Sequence, residues 1–345
     1  MRKYEAVIIG AGPAGLKCAE ILAKNNKKVL VLEKNAIIGD KVCAGGLTLK
    51  DLELGIPNKI IQRKFKKVIL HTPLQDREIK LDKPFIATIN RKDLGKWMAE
   101  KAKKQGAEIR TGSEVTKISE KEVTINKKEK IEYKYLVGAD GANSIVRKYL
   151  GLQTKNFLSA FQYITPKKFK DLEIFVDPEK YGPAYLWIFP YKNSTSIGTG
   201  ADLTREVKQP IFNLSVQKIR KSLDDFCKDK FELKKAKFQA FTINYDYQGH
   251  EFKNKFLIGD AGGFASGLTG ERMYFAIKSG EDVANKIINK DYNCPAIKNI
   301  LKIKSREKEL LRSSEVNKTF TELEWELFSL LLKIKFIDEK LVKEI

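Results

Sequence analysis

The distribution of apolar positions divides the chain into strand–turn–helix units and longer alternating runs. Residues 4–9 (YEAVII) read as a short strand, Gly10-Ala11-Gly12-Pro13-Ala14-Gly15 as a turn, and the alanine- and leucine-bearing stretch up to Asn25 as a helix. Residues 28–32 (KVLVL) predict a second strand ending at Glu33. The same order returns twice: residues 135–138 (YLVG) run into Ala139-Asp140-Gly141-Ala142-Asn143-Ser144, and residues 255–258 (KFLI) into Gly259-Asp260-Ala261-Gly262-Gly263. Gly267-Leu268-Thr269-Gly270-Glu271 then opens a helical pattern reaching Val283 and Ile287. Residues 66–81 and 157–247 supply strands of period two, with an amphipathic helix pattern over 207–226. In residues 295–345 charge is interleaved with apolar positions, and Leu323, Leu327, Leu330, Ile334, Ile337 and Leu341 recur at helical spacing.

The glycines of the first turn have distinct tasks. Gly10 permits the sharp bend, Gly12 lets backbone approach a pyrophosphate, and Gly15 lets helix and strand pack closely, with the helix N-terminus facing the phosphates. Glu33 stands near the ~20-residue offset at which a carboxylate reaches the adenosine ribose hydroxyls. It selects an unphosphorylated ribose and leaves NAD and FAD both open. The third motif separates them. Asp260 at a strand end can accept hydrogen bonds from a polyol, and the following helix start offers N–H groups and a positive dipole end to a flavin pyrimidine edge. A nicotinamide dehydrogenase needs no second anchor so far downstream, so one non-covalent FAD is expected.

The resulting fold class is α/β (α+β overall). A Rossmann-like FAD-binding domain is expected from residues 1–55, 91–150 and 255–290. An interleaved antiparallel β-sheet, the substrate-binding domain, takes residues 56–90 and 151–254, and a C-terminal helical region takes 291–345.

Composition narrows the partners. Cys18, Cys43, Cys227 and Cys294 form no C-x-x-C pair and the chain has only 2 histidines, too few ligands for a zinc or iron–sulfur site. Residues 325–337 carry Glu326, Lys333 and Lys335 and fall short of a spanning helix. No signal-peptide pattern precedes the first strand, so a cytoplasmic location is expected. Peripheral contact with a membrane surface is a second reading, drawn from the late apolar stripe with Trp325 and Phe328. The formal charge of +21 (65 Lys+Arg, 44 Asp+Glu) would concentrate phosphates, anionic headgroups or an acidic protein. It reads equally as a compositional habit, because lysine is spread along the chain. No nucleic-acid motif is present.

The ordered set GAGPAG, Glu33, ADGANSIVR and LIGDAGG resembles the FAD-binding fold of para-hydroxybenzoate hydroxylase-like enzymes over most of the chain. The resemblance implies that Asp140 and Gly141 close over the cofactor pyrophosphate and that Asp260 holds the ribityl chain. It also implies that Arg91, at the start of a helix, binds FAD, and that Val115 meets the adenine through its backbone. A guanidinium near a pyrophosphate has a bidentate task; the competing reading of Arg91 is a solvated helix-start residue.

Two further segments are similar to one branch, the geranylgeranyl reductases. Lys41-Val42-Cys43-Ala44-Gly45-Gly46-Leu47 is similar to the cysteine-glycine loop those enzymes place beside the flavin, and Pro183-Ala184-Tyr185-Leu186-Trp187-Ile188-Phe189-Pro190 to their Y-x-W-x-F-P strand. The resemblance implies reduction of C=C bonds in isoprenoid chains of lipids or lipid precursors. Cys43, Tyr185, Trp187 and Phe189 would then be catalytic, and Ala14, Cys43, Ala44, Gly270, Arg272 and Met273 would join the cofactor contacts. Alternation places Tyr185, Trp187 and Phe189 on one strand face and Leu186 and Ile188 on the other; Phe161 and Tyr163 are expected to add rings to the same sheet. Aromatics at this spacing also read as ordinary sheet core, and Cys43 as a packed loop residue.

Arg272 and Met273 stand where the reductases continue with glycine and a small residue, which leaves open whether Arg272 points at flavin, substrate or solvent. Gly267 replaces their usual proline. His71 and His250 lack a sequence-adjacent acid or nucleophile and are expected to be structural or exposed. With one GxGxxG signature, the electron donor must dock transiently, as NAD(P)H or as an acidic ferredoxin-like protein. An FAD monooxygenase and a flavoprotein passing electrons to quinone are the alternative activities.

Overall fold

Burial along the first strand organises one half of the molecule. In the computed structural model, which describes residues 2–202 and 214–313, the strand Arg2–Ile9 has Ala6, Val7 and Ile8 wholly shielded from solvent. A strand buried on both faces belongs at the centre of a parallel sheet. It pairs in parallel with Val29–Leu32 on one side and Glu129–Gly138 on the other. Glu108–Arg110 and Lys255–Leu257 extend the parallel run outward. One face carries the helices Pro13–Lys24, Arg91–Lys104 and Met273–Ile288. The opposite face is covered by the antiparallel strands Val115–Ile118 and Glu122–Ile125, whose Val115, Ile118, Val123 and Ile125 pack on Val7, Ile9, Leu30 and Leu32.

This unit is assembled from Met1–Lys41, Arg91–Phe157 and Ile243–Ser305. The second unit takes Val42–Asn90, Leu158–Thr242 and the described residues from Arg306. Its main sheet has seven strands in the order Lys237–Asn244, Phe157–Thr165, Thr195–Asp202, Leu186–Pro190, Leu172–Phe175, Lys67–His71 and Asp76–Lys80. Leu172–Phe175 and Lys67–His71 run parallel, and the pairs flanking them are antiparallel. The helix Val216–Lys228 lays Ile219, Leu223 and Cys227 on one face of this sheet. A small sheet of Gly46–Leu47, Ile86–Ile89 and Ile61–Phe65 completes the unit.

Several expectations shift. The amphipathic helix drawn over 207–226 is described from Val216 to Lys228, and residues 207–213 lie outside the described residues. The helix expected to open within 267–271 starts at Met273, because Gly270 sits at φ +69°, outside the helical region. The apolar stripe of Leu323, Leu327, Leu330, Ile334, Ile337 and Leu341, with Trp325 and Phe328, lies outside the described residues, as does the segment 325–337.

Candidate active site

The three glycine motifs occupy adjoining strand ends of the first unit. At Gly10 the backbone has φ +103° and an added Cβ would collide with the Ala139 carbonyl; at Gly15 it would sit on the Gly10 carbonyl. Both are therefore demanded by the protein's own packing. Gly12 is different: φ is an ordinary −76° and a Cβ there would meet only the Ala139 oxygen, at 3.9 Å. The missing side chain leaves open space at the N-terminus of Pro13–Lys24, where a pyrophosphate would be stabilised. Ala14 is buried, its carbonyl lying against Gly280 of the helix Met273–Ile288 and its Cβ beside Gly259.

Glu33 follows the second strand, with Oε2 accepting the Ala11 N–H at 2.8 Å and Oε1 the Asn35 N–H at 3.0 Å. Each oxygen keeps a further acceptor site for a ribose hydroxyl. Asp140 is half-buried; Oδ2 accepts the Ile145 N–H at 2.6 Å, while Oδ1 is shielded from solvent with no protein donor among the described residues. Burial pushes its carboxyl up, against the pull of these local hydrogen bonds. The residues present thus fit the dinucleotide half of FAD.

Asp260 is the electrostatic centre of the third motif. It is 8% exposed and bonded to Lys41 Nζ at 3.1 Å, with Arg272 NH1 at 3.5 Å. Burial alone would raise its carboxyl, but Lys41, Arg272 and Arg91 outweigh burial and hold it below the usual carboxylate range. Three cations around one carboxylate leave a positive excess that suits a diphosphate. Lys41 Nζ also lies 3.5 Å from a Cβ built on Gly141, so it reaches between the second and third motifs. Arg91 NH1 meets the Met273 sulfur at 3.4 Å. Arg272 turns onto Asp260, its side chain 12% exposed. Val115 is buried in the core of the meander.

Sequence reading missed two supports here. In the sequence Lys41 stands only as the first residue of the cysteine loop. Arg147, the last residue of ADGANSIVR, is 2% exposed and donates to the Asp246 carbonyl at 2.8 Å, to Asp246 Oδ2 at 3.2 Å and to the Ala261 carbonyl at 3.4 Å. It ties the second motif to the third. An arginine inside an apolar helix turn was the available signal.

The second unit holds the cysteine loop and the aromatic strand together. Tyr185, Trp187 and Phe189 form a row on one face, ring centroids 6.2 and 6.1 Å apart. An added Cβ on Gly46 would stand 2.7 Å from the Phe189 ring, and one on Gly45 would strike the Tyr191 hydroxyl. That hydroxyl donates to the Ala44 carbonyl at 2.5 Å. The two glycines are what allow the loop to lie flat on the strand. Cys43 is half-buried, its sulfur accepting the Gly45 N–H at 3.4 Å.

Phe161 and Tyr163 belong, as expected, to the same sheet as the aromatic strand. Register pairs Phe161 with Thr199 and Leu186, and Tyr163 with Ile197 and Ile188, so both rings lie on the helix-covered face opposite Trp187. Their alternation was read rightly; the relative register of two strands distant in sequence could not be. His71 has the expected structural role: Nδ1 meets Asp76 Oδ1 at 2.7 Å, Nε2 meets Glu173 Oε2 at 3.0 Å, and the ring stacks on Phe175. Both acids come from neighbouring strands. His250 is bonded to the Tyr247 hydroxyl.

A fold with FAD-adapted strand ends and a positively charged cradle defines a class, the FAD-dependent oxidoreductases. The FAD binding domain family model matches residues 3–289, and the chain belongs to that family. Among its relatives, Uncharacterized protein Mbar_A1602 of Methanosarcina barkeri is 31% identical over 83% of this chain and 75% of its own. The digeranylgeranylglycerophospholipid reductase of Methanococcus vannielii is 28% identical over 84% and 79%. A geranylgeranyl bacteriochlorophyll reductase-like structure from Thermoplasma acidophilum shares the fold, with a TM-score of 0.77 at 20% identity over 100% of each chain.

Among the described residues no helix is long and apolar enough to cross a membrane.

Proposed function

We propose that the protein reduces C=C bonds in the isoprenoid chains of a lipid or lipid precursor. FAD would be held by Gly10, Gly12, Gly15, Glu33, Arg91, Asp140, Gly141 and Asp260, with Lys41 and Arg272 balancing charge, and when bound and reduced it supplies the hydride. The remaining task falls to side chains. An isolated alkene accepts hydride only as a proton arrives at its other carbon, with cationic character developing between the two. The Cys43 thiol gives that proton and recovers one from water. Tyr185, Trp187 and Phe189 offer ring faces to the developing cation, worth up to about 2 kcal/mol when dry.

The observation that carries this reading is the fixed packing of the Cys43 loop on the aromatic row, through Gly45, Gly46, Phe189 and Tyr191. Named relatives include a reductase of a prenylated lipid, which supports the substrate class. The test is mass spectrometry of lipids from a host that makes unsaturated prenyl chains. Expression should add two hydrogens per reduced bond; an added oxygen atom would identify a monooxygenase instead, and unchanged lipids with rapid quinone reduction an electron carrier. Cys43→Ala should keep FAD and lose most turnover, and full turnover in that variant would end the proton role.

A further inference from the structure

Gln162 is fully buried in the strand Phe157–Thr165, on the sheet face that carries Trp187. An amide left unpaired there would bear its full desolvation penalty. Its bonds are all directional. Nε2 donates to the Cys43 carbonyl at 3.3 Å and to Gln239 Oε1 at 2.9 Å, and Oε1 accepts the Ser196 hydroxyl at 2.9 Å. That hydroxyl in turn accepts the Trp187 Nε1–H at 2.9 Å. Turning the amide over would set its oxygen against the Cys43 carbonyl, which can only accept. With Tyr191 on the Ala44 carbonyl, two successive carbonyls of the cysteine loop are held by sheet side chains.

We propose that Gln162 is a positioning residue that locks the Cys43 loop to the Trp187 indole, so that thiol and aromatic row keep one geometry. Through Ser196 it also occupies the only donor of the indole, which leaves Trp187 with ring surface alone. A face so arranged favours a hydrocarbon segment over one bearing hydrogen-bond acceptors. The catalytic meaning of this lock rests on the reductase reading above; the lock itself does not.

The test follows alkylation of each cysteine by iodoacetamide in the FAD-loaded protein. Cys18, Cys227 and Cys294 are buried, and burial pushes their thiols up, Cys227 to about 12 and Cys294 to about 11. They report general loosening. Gln162→Leu should raise the Cys43 rate about tenfold, the loss of one to two net hydrogen bonds, with the three buried thiols unchanged. Ser196→Ala, a milder change, should give a smaller rise confined to Cys43. Gln162→Glu keeps the shape but opposes the Cys43 carbonyl when ionised, so its excess over wild type should shrink as pH falls and the carboxyl becomes a donor. Unchanged Cys43 rates in Gln162→Leu and Ser196→Ala overturn the proposal, and so does a parallel rise of all four cysteines in both. In turnover, Gln162→Leu should lower kcat more than it changes KM. If no alkene is reduced by any form, the alkylation rates still decide the lock, so the two failures are distinguishable.

Discussion

Glycine 12 separates structure from ligand at the scale of one residue. Gly10 and Gly15 are required by contacts within the protein, whereas a methyl group at Gly12 would displace nothing that the chain itself supplies. Gly12→Ala should therefore leave the thermal midpoint of the FAD-free protein near wild type and weaken FAD binding by about tenfold or more, since about 1.4 kcal/mol of lost phosphate contact suffices. Gly15→Ala should lower that midpoint by several degrees. Differential scanning fluorimetry with and without FAD checks both. These glycines were legible in the sequence because a GxGxxG turn is a local device, set by φ and by the absence of Cβ. The charge state of Asp260 was not, since Lys41 is brought to it from a loop 219 residues away in sequence.

Elements explain the histidine that sequence reading set aside. His71 joins Asp76 of the next strand and Glu173 of the parallel neighbour, and so bridges three strands. Burial opposes its charge, but hydrogen bonds to Glu173 and Asp76 prevail and its folded-state pKa lies above the ordinary value of 6.5. A group raised in this way contributes stability fully below its unfolded pKa and loses it as pH rises through the folded value. His250, lowered by burial, pulls in the opposite direction as pH falls. The difference in urea midpoint between wild type and His71→Gln should consequently be largest near pH 6 and shrink toward pH 9. A pH-independent difference would contradict the ion pairs. The placement of Phe161 and Tyr163 on the helix-covered face belongs to the same scale. Alternation tells which residues share a strand face, while pairing decides which strand faces agree.

For the whole molecule, the formal charge of +21 bears on electron supply. If an acidic ferredoxin-like protein is the donor, its rate of flavin reduction should fall steeply as salt is raised from 50 to 300 mM, because steering between opposite charges is screened over about 10 Å at 0.1 M. Reduction by NADPH should lose much less. Stopped-flow bleaching of the flavin with each donor measures this, and a flat salt profile for the protein donor would make the charge compositional.

The sequence by itself determined the parallel strand–turn–helix core, its demand for a dinucleotide, and the candidate residues at each strand end, because these follow from periodicity and from glycine geometry within a few neighbouring residues. Tertiary structure alone decided which charges neutralise Asp260, which face of the sheet carries Trp187's companions, and how Gln162 and Ser196 bind the indole to the Cys43 loop. Those are pairings between segments far apart in the chain. Hydrogen bonds and ion pairs act over about 3 Å, and no local pattern records which distant segment will be there.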